Sequence, residues 1–478
     1  MKQVAIIGGG AAAAAVVGEI LRQQRTRDIA IHWFAGHGAR GRGIAYSAQA
    51  DHHVLNVRAA GMGLFADDGG AFFRHVGARA PQAKASDFLP RAWFGDFVEA
   101  TLAPLVEAAR ERGQRVQVHA STATAVRGND TSGYRVTDEY GLEVAVDEVV
   151  LAIGALPSSA LDEAGARALA SGRYIVDAWQ ALSLREAPRH IVVIGTGLTA
   201  VDVILQATSD WPSTHVTAVS RHGHLPAAHL REPGSPYDHQ DELIGEMIAE
   251  PRVRRWSHVL REAAADPAVD WRSIVDGLRP VTGALWQALP IAERARFLRH
   301  LRAFWEPARH RLPPQTAATI DALRTDGRLD ILAARIDRID GDGPLELHLR
   351  ERGHDGERTL AADLVVQATG PRLDATATRD PLVVQMLADG LVRADAVGLG
   401  LAAESDGRLH SADGTPARRL RVLGALMRGS VWECAAFAEI RVLARTLATD
   451  IVSDGSAPRV ARPTPLTGLS RSAVALVG

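Results

Sequence analysis

The chain has 478 residues, 46% hydrophobic and 23% charged, with a formal net charge of −2. Its length exceeds one ordinary core, so two domains or one domain with a large insert are expected, and the near-neutral charge gives no reason to expect nucleic acid or an anionic membrane as partner. The single cysteine, Cys434, excludes intramolecular disulfides, a thiolate zinc site and a Cys-x-x-Cys redox pair. The chain enters a strand almost at once, without the pattern of a signal peptide, and Ala11–Val17 is too short to span a bilayer. A cytoplasmic protein is the expectation.

In chain order, the apolar run Val4-Ala5-Ile6-Ile7 leads into Gly8-Gly9-Gly10-Ala11-Ala12-Ala13. This reads as strand, tight turn and helix start: Gly8 makes the turn, Gly10 lets a pyrophosphate approach the backbone, and Ala13 keeps helix and strand close. The next strand, Ile29–Phe34, should end in an acidic residue to hold a ribose, yet the position is Ala35. Arg40 and Arg42 are candidates to compensate at the pyrophosphate, against the plain alternative of surface charge. Arg115–Pro157 reads as a short β-meander and a buried strand that ends in Ala152-Ile153-Gly154.

A second fingerprint follows Ile191-Val192-Val193-Ile194: Gly195-Thr196-Gly197-Leu198-Thr199-Ala200. Gly195, Gly197 and Ala200 repeat the three roles. The strand Val216–Val219 then ends in Ser220-Arg221, where NAD sites carry an acid; a hydroxyl and a guanidinium suit the extra phosphate of NADP. About Glu232–Leu323, helical spacing with Trp256, Trp271, Trp286 and Trp305 indicates a mostly helical insert, its tryptophans favoured as packing anchors. Arg328–Pro371 repeats the meander and closes on Ala368-Thr369-Gly370. Arg428–Glu433 reads as a helix start, and a weakly ordered tail is expected from Arg459. His222, His224, His229 and His239 show no regular ligand spacing, so no metal site is expected.

Two such fingerprints imply FAD and a nicotinamide dinucleotide, NADPH favoured, held together. The expected fold is α/β: two Rossmann-like dinucleotide-binding domains, three-layered, with β-meanders and a mostly helical insert. Residues 1–185 and 328–478 form the FAD-binding domain in this reading; residues 186–327 form the NADP-binding domain, with the insert at about 232–323.

Several segments resemble the bacterial FAD/NAD(P)-binding oxidoreductases: Gly41-Arg42-Gly43-Ile44-Ala45-Tyr46-Ser47, His53-Val54-Leu55-Asn56-Val57 with Met62, Phe88-Leu89-Pro90-Arg91, Ile194 through Asp202, Ser220 through Pro226, Phe297 through Leu301, and Gly429-Ser430-Val431-Trp432-Glu433. More distantly, the order of fingerprint, Gly-x-Gly segment, Tyr, and Asn followed by Met is similar to the two-domain flavin monooxygenases, including the flavin-containing, Baeyer–Villiger and N-hydroxylating classes. The resemblance implies cofactor contacts at Arg42, Gly43 and Tyr46, and a flavin-side role for Asn56, whose alternative is an Asn that satisfies loop backbone. It also implies that Gly429, Ser430 and Trp432 open a helix toward the flavin pyrimidine edge, its dipole stabilising reduced flavin; the alternative is a packing helix. His53, beside His52, is the candidate for acid–base work.

The leading expectation is an NADPH-using FAD monooxygenase that oxygenates a small substrate, an amine ahead of a sulfide or ketone, through a flavin hydroperoxide, with molecular oxygen as co-substrate. Alternatives are an NAD(P)H-dependent flavin oxidoreductase without oxygen insertion and a non-catalytic redox-sensing flavoprotein, to which Ala35 gives weight. Neither a membrane nor a nucleic acid is expected as partner, and a homodimer is compatible.

Overall fold

The computed structural model describes residues 1–23, 28–38, 40–47, 50–179 and 186–453. The expected tail from Arg459, and residue 185 at the expected end of the first segment, lie outside them. Among the described residues no helix is long and apolar enough to cross a membrane.

The strands in chain order are β1 Lys2–Ile7, β2 Ile29–Phe34, β3 Val116–His119, β4 Ala123–Asn129, β5 Gly133–Asp138, β6 Glu143–Val146, β7 Glu148–Leu151, β8 Tyr174–Ile175, β9 His190–Ile194, β10 His215–Ser220, β11 Leu329–Asp340, β12 Leu345–Glu351, β13 Glu357–Ala362, β14 Leu364–Gln367, β15 Arg408–His410 and β16 Pro416–Val422. One sheet has the order β15-β16-β7-β1-β2-β3, parallel except at the β15 edge. The other has the order β13-β12-β11-β10-β9-β14-β8, and β4-β5-β6 form a third, small sheet.

Each parallel sheet is covered on both faces, which is why its strands read as unbroken apolar runs. Val4 and Ile6 of β1 face a core shared with the helices α1 (Ala11–Gln23) and α2 (Arg91–Glu111); Ala5 and Ile7 face the core under the β4–β6 meander. The alternation repeats in the second sheet. Ile191 and Val193 of β9 face α3 (Leu198–Asp210), while Val192 and Ile194 face the β11–β13 meander. Two three-layer α/β units result, as the period-2 burial of strands requires.

The second unit repeats the first with one difference. β11 pairs in parallel with β10 through Leu329–Ala333, then turns into the meander through Ala334–Asp340. In the first unit the same path is divided between β3 and β4, so its meander is a separate sheet.

Seven α-helices between Gln240 and Thr325 form the expected insert. Trp256 and Trp286 are buried in it and donate Nε1–H to the carbonyls of Met247 (2.7 Å) and Gly429 (2.8 Å), which satisfies the indole polar group as burial demands. The last helix, α4 (Phe437–Val452), carries Ile440, Ala444, Leu447, Ala448 and Ile451 on one stripe against the alanine-rich α1.

Candidate functional site: two glycine turns and the cleft between them

The first two positions of the turn after β1 admit only glycine. Gly8 has φ +135°, and a Cβ there would lie 2.2 Å from the Ala152 carbonyl oxygen; a Cβ on Gly9 would lie 2.1 Å from that of Ala35. Gly195 repeats this at φ +123°, 2.3 Å from the Ala368 oxygen. Both first glycines therefore press on the Ala-x-Gly ends of the closing strands. Gly197 has nothing within 4 Å, and Gly10 faces Gly43, whose own Cβ would sit 3.0 Å from the Gly10 Cα. Space is thus left at the second and third turn glycines, beside the first N–H groups of α1 and α3, where a phosphate gains unpaired donors and a favourable dipole. Fully buried Ala13 and Ala200 hold each helix close to its strand. At the carboxyl edges of the sheets, Gly154, Gly370 and Gly424 also take positive φ with nothing within 4 Å, at the place where such sheets receive ligands.

The strand ends differ. Buried Ala35 brings only its backbone. Ser220 does not project outward: Thr196 Oγ1 donates to the His224 carbonyl (2.7 Å), so Ser220 Oγ donates to Thr196 Oγ1 (2.9 Å) and accepts from the Gly223 N–H (3.0 Å). Ser220 thereby ties the β10 end to the second turn. Arg221 is exposed. Arg352, at the end of β12, reaches His222 Nδ1 (2.9 Å); burial, Arg352, His224 and Arg221 in turn lower the His222 pKa. His222 and His224 stack at 5.7 Å, and no three metal-ligating side chains gather among the described residues.

Between the units, His52, Val54, Asn56 and Arg91 of the first face Leu198, Val201, Asp202 and Leu205 of α3 across a narrow cleft. Arg91 binds Asp202 with both terminal nitrogens (2.8 and 3.2 Å) and donates Nε–H to the Val54 carbonyl (3.0 Å). Burial pushes the Asp202 carboxyl up, against the pull of Arg91. His53 is buried, with Nε2 3.2 Å from the Asp202 carbonyl; its Nδ1 is buried without a partner, and burial lowers its pKa. His229 Nε2–H donates to the Asn56 carbonyl (3.1 Å), and its ring lies against Phe88 at 5.0 Å. Burial first, then Arg311, push the His229 pKa down to about 4, so a neutral imidazole holds the Asn56 loop.

Residues 5–156 match a family model described as FAD-NAD(P)-binding. No curated protein matches the chain. Solved structures do. The ornithine N-hydroxylase of Kutzneria sp. 744, with reduced FAD, NADP+ and L-ornithine, is 15% identical, with TM-score 0.62 over 95% of this chain and 99% of that one. The L-lysine 6-monooxygenase of Pseudomonas syringae is 16% identical, with TM-score 0.64 over 96% and 100%. The FAD-bound cadaverine monooxygenase of Erwinia amylovora is 14% identical, with TM-score 0.61 over 95% and 94%. The chain has the two-unit flavoprotein fold.

Within that fold, Arg42 is not free for a phosphate: its guanidinium binds Asp96 (2.5 Å) and Glu99 (2.7 Å) of α2. Tyr46 sits edge-on to Phe94 (4.7 Å) and Phe437 (6.2 Å), pinning the Gly43 loop to α2 and α4. The expected helix start at Arg428–Glu433 needs correction, because the helix begins at Phe437. Tertiary contacts hold the preceding residues in turns. Gly429 accepts from Trp286 and Arg294 (3.2 Å), Ser430 Oγ donates to the Ala403 carbonyl (2.5 Å), and buried Trp432 packs at a tilt on Trp286 at 4.7 Å. These three residues join the insert to the last segment. Arg91, Asp202 and His229 were missed as site residues. Arg91 and Asp202 lie within the family-like motifs, but their pairing spans 111 positions.

Proposed function

We propose that the chain is an FAD-dependent, NADPH-using monooxygenase that N-hydroxylates a small amine, with residues 1–185 and 328–478 holding FAD and 186–327 holding NADPH. The carrying observation is the shared cleft: Leu198, directly after the second turn, faces the loop of Asn56 across it. Hydride transfer between two dinucleotides requires their rings to meet, and a junction that sets the helix of the second turn against the Asn56 loop of the first unit supports that. The residues fit the cofactors through the glycine cradles, where any Cβ would fill the phosphate approach or strike a strand end. Gly8, Gly10, Ala13 and Gly43 would serve FAD; Gly195, Gly197 and Ala200 the NADPH pyrophosphate; Arg221, with Arg352 beside it, its 2′-phosphate.

When bound, FAD supplies two-electron chemistry between NADPH and oxygen. The protein's part is positional and electrostatic. An amine must lose its proton before nitrogen can be oxidised. His53, kept neutral by burial and donating from Nε2 to the Asp202 carbonyl, is the candidate to take that proton through its unpartnered Nδ1, once the amine reaches that buried atom. Asn56, its backbone carbonyl held by His229, lines the cleft between the units. The Arg91–Asp202 pair holds the units together. The small amines named for the similar structures, ornithine, lysine and cadaverine, are the first to assay. Purified protein with FAD and NADPH should form a hydroxylamine from at least one primary amine, in proportion to NADPH consumed. Peroxide as the sole product with every amine would leave an oxidoreductase without oxygen insertion.

A further inference from the structure

The missing acid after β2 raises the question of what else could hold an adenosine there. The tip between β5 and β6 answers it. Glu139 is carried to the end of β2 by reciprocal bonds with Thr122: its N–H donates to the Thr122 carbonyl (2.9 Å), and its Oε1 accepts the Thr122 N–H (2.6 Å). Thr122 is itself next to the β2 end, since the Ala35 N–H donates to His119 and the Gly36 N–H to Ser121. His37 Nε2 lies 2.7 Å from the same Glu139 oxygen. The tip is set in advance, because buried Asp138 accepts the N–H groups of Tyr140 (3.0 Å) and Leu142 (2.9 Å). Tyr140 is 73% exposed, its ring edge-on to His37 at 6.3 Å. An exposed aromatic beside a fixed, one-third-exposed carboxylate has no role in the core.

Building on the reading of the first turn as an FAD site, we propose that Glu139 replaces the absent strand-end acid as acceptor for the adenosine ribose hydroxyls, with the exposed ring of Tyr140 supplying the face on which the adenine rests. The Thr122 N–H, ahead of His37, holds the Glu139 carboxyl below its usual range, so it is ionised when the ribose arrives. Charge-assisted bonds from hydroxyl to carboxylate are about twice as strong as neutral ones, and base–aromatic stacking is sequence-independent in its chemistry. The acid has moved from the strand to the meander.

The test is equilibrium binding of FAD and of NADP+ to the full-length apoprotein, by flavin fluorescence and calorimetry, for wild type, Glu139→Gln and Tyr140→Ala. Each variant should bind FAD more weakly by about five-fold or more, with NADP+ affinity within about two-fold of wild type. FAD affinity unchanged in both variants would overturn the proposal. So would equal losses for FAD and NADP+, which would show damage to the fold. A wild-type protein that takes up no FAD would instead overturn the cofactor reading on which the proposal rests.

Discussion

Two side chains carry residue-scale consequences. Arg221 stands exposed at the end of β10 with Arg352 nearby, a pairing that suits a doubly charged phosphate but offers nothing to an unphosphorylated ribose. Arg221→Ala should raise the Kd for NADPH by about ten-fold and leave that for NADH within about two-fold; equal losses would move the phosphate contact elsewhere. His229 makes a pH prediction. Its folded pKa of about 4 lies below the unfolded 6.5, so the unfolded chain binds the extra proton in between. Stability must therefore fall as pH drops below 6.5, with the loss complete near 4. Between pH 7.5 and 4.5, wild type should lose roughly 2–3 kcal/mol more unfolding free energy than His229→Gln, by urea titration. Equal losses would mean that the imidazole is not held neutral.

At the scale of elements, the two turns separate fold from ligand. Gly195→Ala must strain a positive φ and push a methyl onto the Ala368 carbonyl, whereas Gly197→Ala meets nothing within 4 Å. The first should cost about 2 kcal/mol or more of stability. The second should change stability by less than about 1 kcal/mol yet weaken NADP+ binding by about ten-fold or more, because its methyl stands where the pyrophosphate approaches. Gly197→Ala with unaltered NADP+ affinity would contradict the second turn as a phosphate cradle. These turns were legible in the sequence because their chemistry is local: apolar strand, glycine spacing, helix. So were the repeated meanders and the helical insert. The start of α4 was misread because Trp432 and Glu433 are drawn to the insert, Glu433 pairing with Arg309 at 3.0 Å. Local pattern cannot anticipate a partner more than a hundred residues away. Arg42 was misjudged because its carboxylates wait on α2, 54 and 57 positions along the chain.

At the scale of the whole molecule, a duplicated three-layer unit is interrupted by helices and closed by a return to the first sheet. Its two halves meet where the Arg91–Asp202 pair and His53 lock α3 to the loop of Asn56. That junction is the reason for assigning one redox centre rather than two separate nucleotide sites. The direct test is the rate of NADPH oxidation by purified full-length protein under air, with and without saturating FAD. Oxidation that depends on both protein and FAD, and is faster with NADPH than with NADH, is the predicted result. No protein-dependent oxidation at saturating FAD, with both dinucleotides bound, would contradict the account.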